Sequence, residues 1–218
     1  MTGLELNDVT LTVGDGVDVV TALDRVSLTV EPGEFVAVVG PSGAGKSSLL
    51  AVAGALTAPD SGTVRIDGQD PTALSNAGRA RLRRERVGFV FQSGNLVPAL
   101  TSRDQLRLMA KLRGRGRAPQ TDLLDEVGIA DKARRRPHQL SGGERQRVGI
   151  ARALVGDPAV LLVDAPTAAL DRARSHEIVE LIAKETHRAQ LATVMVTHDH
   201  EMLPHCDRVL TMVDGKLT

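Results

Sequence analysis

The sequence predicts an α/β fold with a mostly parallel core sheet, an N-terminal antiparallel β layer and an inserted helical lobe. Two continuous apolar runs, residues 35–39 and 160–163, are typical of strands that are covered on both faces of a parallel sheet. Residues 4–13 and 26–30 instead alternate apolar with polar side chains, which is the period of half-buried strands. Apolar residues at helical spacing across 102–113 predict a helix between two α/β halves.

The length of 218 residues suits a single sizeable core. We expect one domain over residues 1–218, with a core lobe formed by about 1–92 and 157–218 and a helical lobe formed by about 93–156. Turn signals, such as Gly14-Asp15-Gly16, divide the chain into elements. In chain order the further predictions are a helix from 48, a strand over 63–68, a helix over 77–86, a strand over 87–91, helices over 119–127, 145–155 and 172–188, and strands over 192–196 and 208–213.

A glycine-rich loop joins the apolar run 35–39 to the helix predicted from residue 48. This order of strand, loop and helix is typical of a phosphate-binding loop, in which backbone N–H groups and the positive end of a helix surround phosphate oxygens. Lys46 would reach the β- and γ-phosphates, and the hydroxyl of Ser47 would bind Mg²⁺. The predicted nucleotide-binding residues of this segment are Gly40, Pro41, Ser42, Gly43, Ala44, Gly45, Lys46, Ser47 and Ser48.

The composition argues against several classes of protein. The 27 Lys and Arg residues balance the 27 Asp and Glu residues, and the only aromatic residues are three Phe, so we expect no nucleic-acid partner. Runs of arginine, as at 79–86, are expected on a solvated or partner-facing surface. No apolar run approaches the roughly 18 residues of a membrane span, and the N-terminus lacks a secretory signal. The single cysteine, Cys206, fits a reducing compartment, so we expect a cytoplasmic protein.

Six motifs occur in the order and spacing of the ATP-binding-cassette (ABC) ATPases. The most specific is the pentapeptide Leu-Ser-Gly-Gly-Glu at 140–144, which a generic phosphate-loop kinase or GTPase would lack. The others are the phosphate loop at 40–47, Gln92, the strand 160–163 ending at Asp164, the segment Ala168-Ala169-Leu170-Asp171, and His198. The chain resembles this family over nearly its whole length.

The resemblance implies roles for these residues toward ATP and Mg²⁺. Asp164, Gln92 and Ser47 would bind the metal, and Gln92 would also sense a membrane partner. His198 would contact the γ-phosphate and orient the attacking water. In this family two ATP molecules lie between head-to-tail chains, so the partner copy's ATP would meet Ser141, Gly142, Gly143, Glu144 and, at the same junction, Asp171.

Two positions depart from the pattern of the family. Val13 stands where an aromatic ring normally stacks on adenine, so the base would be held less tightly, by up to about 1–3 kcal/mol. Ala165 follows Asp164 where the family has a glutamate that polarises the attacking water. Loss of a general base typically lowers a rate by about 10²–10⁴-fold, so we expect ATP binding with slow hydrolysis. A substitution introduced to trap the ATP-bound dimer and a naturally silent site both explain this alanine.

Residues 82–92 and 95–101 resemble the macrolide-exporter and lipoprotein-release group of the family. This resemblance implies an ATPase subunit that sits on the inner face of the cell membrane, bound to integral membrane permease subunits and to a second copy of itself. Two alternatives remain at this level: a non-transport ABC ATPase, such as a cell-division signalling partner, and a soluble assembly or DNA-repair ATPase.

Overall fold

The computed structural model describes residues 3–14, 19–114 and 120–218, and it has the predicted α/β architecture. The strands are β1 (Leu4–Val13), β2 (Val20–Val30), β3 (Phe35–Val39), β4 (Ser61–Ile66), β5 (Val87–Val90), β6 (Val160–Asp164), β7 (Ala192–Val196), β8 (Arg208–Val213) and β9 (Lys216–Leu217). The α-helices are α1 (Lys46–Ala53), α2 (Asn76–Arg86), α3 (Ser102–Leu112), α4 (Gln120–Glu126), α5 (Gly142–Leu154) and α6 (Arg172–Ala189). Short 3₁₀ turns lie at Pro71–Ala73, Ala130–Lys132, Pro137–Gln139 and His200–His205.

The predicted antiparallel layer is a three-stranded sheet in the order β2-β1-β4. Leu4 pairs with Val30 on one side and with Ile66 on the other. The sequence predicted β4 only as a short separate strand, and it placed the start of β2 at residue 26 instead of Val20. The irregular register between β1 and β2 explains the second difference, because bulges interrupt the alternation of side chains. Two residues of the predicted turn, Asp15 and Gly16, lie outside the described residues.

The core sheet has six strands in the order β5-β6-β7-β3-β8-β9, all parallel except β9, which the sequence prediction missed. Its continuous apolar strands are buried on both faces, as predicted. In β3, Phe35 and Ala37 pack into one hydrophobic core, whereas Val36 and Val38 pack into another. Alternate residues of each strand therefore pack against layers on opposite faces of the sheet.

Different elements cover the two faces of this sheet. The core around Val36 contains residues of α1 and of the antiparallel sheet. The core around Phe35 contains residues of α3, α4, α5 and α6. Helix α5 begins three residues before its predicted start because Ser141 and Glu144 form a capping box. The predicted start of α4 at Pro119 lies outside the described residues, and the division into two lobes stays a prediction.

Over the described ranges 3–14, 19–114 and 120–218, every helix is too short or too polar to cross a lipid bilayer.

Helix α3 offers a matched test of how the helical layer is held. Leu106 is fully buried in the core that contains residues of α3, α4, α5 and α6, whereas Leu112 on the same helix is 52% exposed. Leu106→Ala should lower the free energy of unfolding by about 2–5 kcal/mol, because it leaves a cavity in the core. Leu112→Ala should change it by less than about 0.5 kcal/mol. Urea denaturation followed by circular dichroism measures both, and equal losses would contradict this packing.

Candidate functional site

The order of strands in the core sheet brings several predicted residues to one edge. Asp164 at the end of β6 pairs with Val196 at the end of β7, and Val196 pairs with Val38 near the end of β3. The phosphate loop follows β3, and His198 follows β7 after one residue. Because these strands are parallel, their carboxyl ends meet at the same edge, where α/β proteins bind ligands.

The loop has a backbone that only glycine fits at two points. Gly40 (φ 151°) and Gly45 (φ 102°) lie in the left-handed region. A Cβ at Gly40 would lie 2.0 Å from the carbonyl oxygen of Met212, and one at Gly45 would lie 2.2 Å from that of Ala22. A Cβ at Gly43 (φ 82°) would meet no atom within 4 Å, so the loop presents open space there. The loop is therefore clamped on the side of β2 and β8 and accessible at Gly43.

The side chain of Lys46 folds back onto the loop that precedes it. Its Nζ donates hydrogen bonds to the carbonyl oxygens of Gly40 and Pro41, each at 2.7 Å. Helix α1 begins at Lys46, and its cap residue, Gly45, provides no side-chain hydrogen bond. The first N–H groups of the helix thus face the loop without a capping side chain, beside the lysine ammonium. This arrangement favours an anion.

A cavity of about 400 Å³ lies at this edge of the sheet. It brings together eleven of the predicted residues: Val13, Gly40, Ser42, Gly43, Gly45, Lys46, Ser47, Ser48, Asp164, Ala165 and His198. It is also lined by four residues that the prediction did not include: Val20, Ala22, Val196 and Thr197. The early start of β2 was the missing signal for Val20 and Ala22.

The remaining predicted residues do not line this cavity. Pro41 and Ala44 belong to the loop, and Ala44 is buried behind it. Gln92 is exposed, two residues after β5, which neighbours β6. The exposed Asp171 caps α6 by accepting a hydrogen bond from the backbone N–H of Arg174 at 3.0 Å.

The Leu-Ser-Gly-Gly-Glu segment forms the start of α5, away from the cavity. Ser141 Oγ accepts a hydrogen bond from the backbone N–H of Glu144 at 3.3 Å, and the Glu144 carboxylate accepts one from the backbone N–H of Ser141 at 2.7 Å. This second bond lowers the pKa of Glu144. Gly142 and Gly143, the first residues of α5, complete the segment. In one chain, this segment therefore does not line the cavity that the phosphate loop lines.

Two effects act in opposite directions on the pKa of Asp164. Burial raises the pKa of this carboxyl above its ordinary value, while the nearby positive charge of Lys46 lowers it in part. A cation that prefers oxygen ligands would offset the free-energy cost of burying this carboxylate. The Ser47 hydroxyl lines the same cavity, so an alcohol and a carboxylate oxygen are both present for Mg²⁺.

Ala165 presents only a methyl group to the cavity. Its backbone N–H donates to the carbonyl oxygen of Val196 at 2.9 Å, and its φ of 38° is uncommon for a residue other than glycine. The backbone at this position therefore fixes the direction of the Ala165 side chain. Among the described lining residues, Asp164 provides the one carboxylate of this cavity.

Comparison with known proteins identifies the family. The model of the family described as "ABC transporter" matches residues 23–168. HrtA of Staphylococcus haemolyticus, named for hemin import, is 38% identical over 218 residues, which are 98% of each chain. The chain belongs to the ABC transporter family. The ABC domain is also 46% identical over 215 residues to the macrolide export ATP-binding/permease protein MacB of Chlorobium luteolum. That match covers 97% of this chain and 32% of MacB, so the chain spans about a third of this relative.

The solved structures confirm the fold of the ABC domain. A dimeric structure of the ATP-binding cassette MJ0796, described as a post-hydrolysis state bound to ADP and Pi, superposes with a TM-score of 0.88 at 36% identity. The match covers 98% of this chain and 96% of that one. The cassette cbiO1 of Clostridium perfringens matches with a TM-score of 0.87 at 29% identity.

The opposing effects on Asp164 predict a specific pH response. Because its pKa is raised in the folded chain, the native state holds this proton more tightly than the unfolded chain does. This group therefore lowers the free energy of unfolding as pH rises from its ordinary value of 3.8 through the raised pKa. Lys46→Met removes the opposing positive charge, so it should raise the pKa of Asp164 further.

Carbon-13 NMR titration of the aspartate carboxyls measures this shift. Asp60, whose pKa is lowered by hydrogen bonds from Thr12, is the internal control and should keep its pKa in the Lys46→Met chain. An unchanged or lower pKa of Asp164 in that variant would show that Lys46 does not act on it.

Proposed function

We propose that this chain is the ATPase subunit of a transporter, and that it binds ATP with Mg²⁺ and hydrolyses it slowly. The observation that supports this most directly is the cavity at the ends of β3, β6 and β7, which combines the phosphate loop with Asp164 and His198. ADP and Pi in the structure of MJ0796 support a nucleotide as the ligand.

The phosphates lie in the loop, where the N–H groups at the start of α1 and the charge of Lys46 stabilise them. The lysine ammonium has three N–H bonds, and two donate to the loop carbonyls of Gly40 and Pro41. The third is available to the β- and γ-phosphates without a change in the loop. Gly43, which faces open space, permits close approach of the phosphate chain.

Mg²⁺ fits the donors that line the cavity. Ser47 supplies a hydroxyl oxygen and Asp164 a carboxylate, while Gln92 lies at the end of the neighbouring strand β5 and would approach as the site closes. When bound, the metal neutralises charge on the phosphates. The raised pKa of Asp164 agrees with this role, because a buried carboxylate gains from a cation beside it.

The adenine base of ATP contacts aliphatic side chains and no aromatic ring among the described lining residues. Val13 and Val20, both exposed, and Ala22 line this end of the cavity. Valine provides van der Waals contact without a π face, so ATP affinity is lower than with a stacking ring by up to about 1–3 kcal/mol.

A second copy of the chain completes each site. Ser141, Gly142, Gly143 and Glu144 form a helix start suited to an anion, yet they do not line the cavity of their own chain. A head-to-tail dimer places this helix start, with Asp171, against the partner copy's γ-phosphate. The dimeric structure of MJ0796 supports such an assembly.

Hydrolysis is slow because Ala165, and not a side chain that can accept a proton, follows Asp164 in the cavity. His198 lines the cavity and is proposed to contact the γ-phosphate and orient water. Ala165 occupies the position from which a carboxylate would take the proton of that water. The closed, ATP-bound dimer is therefore long-lived.

The membrane partner is an integral permease. MacB, an ATP-binding/permease protein, supports this, because the chain matches about a third of its length. An apolar groove beside α3, which we call the α3 groove, is lined by Leu56, Val97, Leu108 and Leu112 and is proposed as the surface that binds the permease. The chain then lies on the inner face of the membrane through this partner.

Ala165→Glu tests the proposed function. In the presence of ATP and Mg²⁺, the variant should release phosphate about 10²–10⁴-fold faster than the Ala165 chain, because it restores the general base. Ala165→Gln is the matched control, since it adds a side chain of the same size that cannot accept a proton, and it should not raise the rate. Adding Lys46→Ala to Ala165→Glu should abolish the gain. A chain with Ala165 that already turns over as fast as the glutamate variant would contradict the proposal.

A further inference from the structure

Two carboxylates lie at the start of α5, which is proposed to meet the γ-phosphate of the partner copy. The Glu144 carboxylate belongs to the capping box of this helix, and its lowered pKa keeps it ionised. A Cβ at Gly142 would lie 3.2 Å from Leu170 Cδ2, so the segment that ends at Asp171 packs against the same helix start. These two negative charges offset the partial positive charge of the helix end. A phosphate at this place therefore needs a further cation.

The side chain of Arg174 lies across this helix start. Arg174 belongs to the first turn of α6. A Cβ at Gly143 would lie 3.6 Å from Arg174 Cδ, which is the one atom within 4 Å of that point in the described part of the chain. The guanidinium begins one bond beyond Cδ. It is therefore within reach of an anion that approaches the first N–H groups of α5.

Asp171 orients Arg174 at both its backbone and its side chain. Asp171 Oδ1 accepts a hydrogen bond from the backbone N–H of Arg174 at 3.0 Å, and Asp171 Oδ2 lies 3.3 Å from Arg174 Nη1. The two side chains are 57% and 55% exposed, and a surface ion pair of this kind contributes little free energy. A guanidinium has five N–H donors, so one such contact leaves most of them available.

Two other cations near this helix start have different contacts. Arg145 Nη1 donates to the carbonyl oxygen of Leu140 at 2.6 Å and so supports the backbone before the helix. Lys132 Nζ lies 2.7 Å from Asp131 and 3.9 Å from Glu144. The counter-charge of Arg174, in contrast, is Asp171, which the proposed dimer places at the same junction as the phosphate.

We propose that Arg174 binds the γ-phosphate of the ATP held by the partner copy, and that this contact makes dimerisation depend on a triphosphate. The inference rests on the proposed function, because it takes two copies to enclose ATP head to tail. A guanidinium binds a phosphate through two parallel hydrogen bonds. ADP has no γ-phosphate, so this contact does not form with ADP. Each dimer contains the contact twice, because both sites are equivalent by symmetry.

Sedimentation equilibrium of the chain with ATP and Mg²⁺ tests the proposal. Arg174→Met should raise the dissociation constant of the ATP-bound dimer by about 100-fold or more, because two charge-assisted hydrogen-bond contacts are lost per dimer. Arg174→Lys retains a point charge and should recover part of this affinity. With ADP, the parent chain and Arg174→Met should both remain monomers.

Arg172→Met is the matched control. Arg172 lies two residues before Arg174 on the same helix, is exposed, and pairs with Glu201 at 2.8 Å. The same loss of charge there should leave the dissociation constant of the dimer unchanged. Arg174 does not line the cavity of its own chain, so equilibrium dialysis at low protein concentration should show unchanged ATP binding by the Arg174→Met monomer. Thermal unfolding establishes that each variant folds.

Three outcomes would overturn the inference. An Arg174→Met chain that dimerises with ATP as tightly as the parent contradicts the role of Arg174, while the proposed dimer stands. Equal losses in Arg172→Met and Arg174→Met show a general effect of charge and not a phosphate contact. Equally tight dimers with ADP and ATP contradict the dependence on a triphosphate. A parent chain that saturates with ATP and stays a monomer contradicts the proposed dimer itself.

Discussion

The structure depends on how closely the phosphate loop is clamped between two sheets. The carbonyl oxygen of Ala22 on β2 and that of Met212 on β8 each leave no room for a side chain at Gly45 and Gly40. The backbone N–H of Gly215 also donates to the carbonyl oxygen of Ala44 at 3.0 Å. The loop is therefore in contact with both the antiparallel layer and the core sheet. Its shape is determined by packing before any ligand binds, which reduces the ordering cost of binding.

The close packing of the loop against β2 also connects the apolar end of the cavity to its charged end. Ala22 lines the cavity and contacts the loop, so the strand that provides the proposed surface for the base also positions the backbone of the glycine-rich loop. On the other side, β7 lies between β3 and β6 and brings Thr197 and His198 next to Asp164. The strand order of the core sheet thus determines the chemistry of the cavity.

Strand β5 separates the cavity from the α3 groove. Phe89 and Phe91 line the groove and stack with their ring centroids 5.7 Å apart, and Gln92 follows directly. Gln146 on α5 donates to the carbonyl oxygen of Phe91 at 3.1 Å, which connects the end of this strand to the helix that begins after Ser141. A partner in the groove is therefore one short segment away from the end of β6, where Asp164 lies. If the proposed permease binds there, this connection would provide a physical route between it and a nucleotide in the cavity.

The sequence was sufficient to predict the fold class. Continuous apolar strands need a layer on each face of the sheet, whereas the alternating N-terminal strands need a layer on one face only. The sequence also predicted that the loop, Asp164, Ala165 and His198 come together, because the carboxyl ends of parallel strands lie at one edge, and their roles toward a nucleotide stay predictions. Val20 and Ala22 were missed because the bulged register of β2 with β1 interrupts the apolar alternation, so the predicted strand began only at residue 26. Gln92, Asp171 and the segment at 141–144 are outside the cavity of the single chain, and the proposed explanation is that a second chain brings some of them to it.

The most direct test of the ATP-dependent dimer is sedimentation velocity of this chain with and without ATP and Mg²⁺, with bound nucleotide counted by equilibrium dialysis. The account predicts a monomer without nucleotide and a stable dimer that holds two ATP molecules, with Lys46→Ala remaining monomeric. A chain that saturates with ATP and stays a monomer would contradict it.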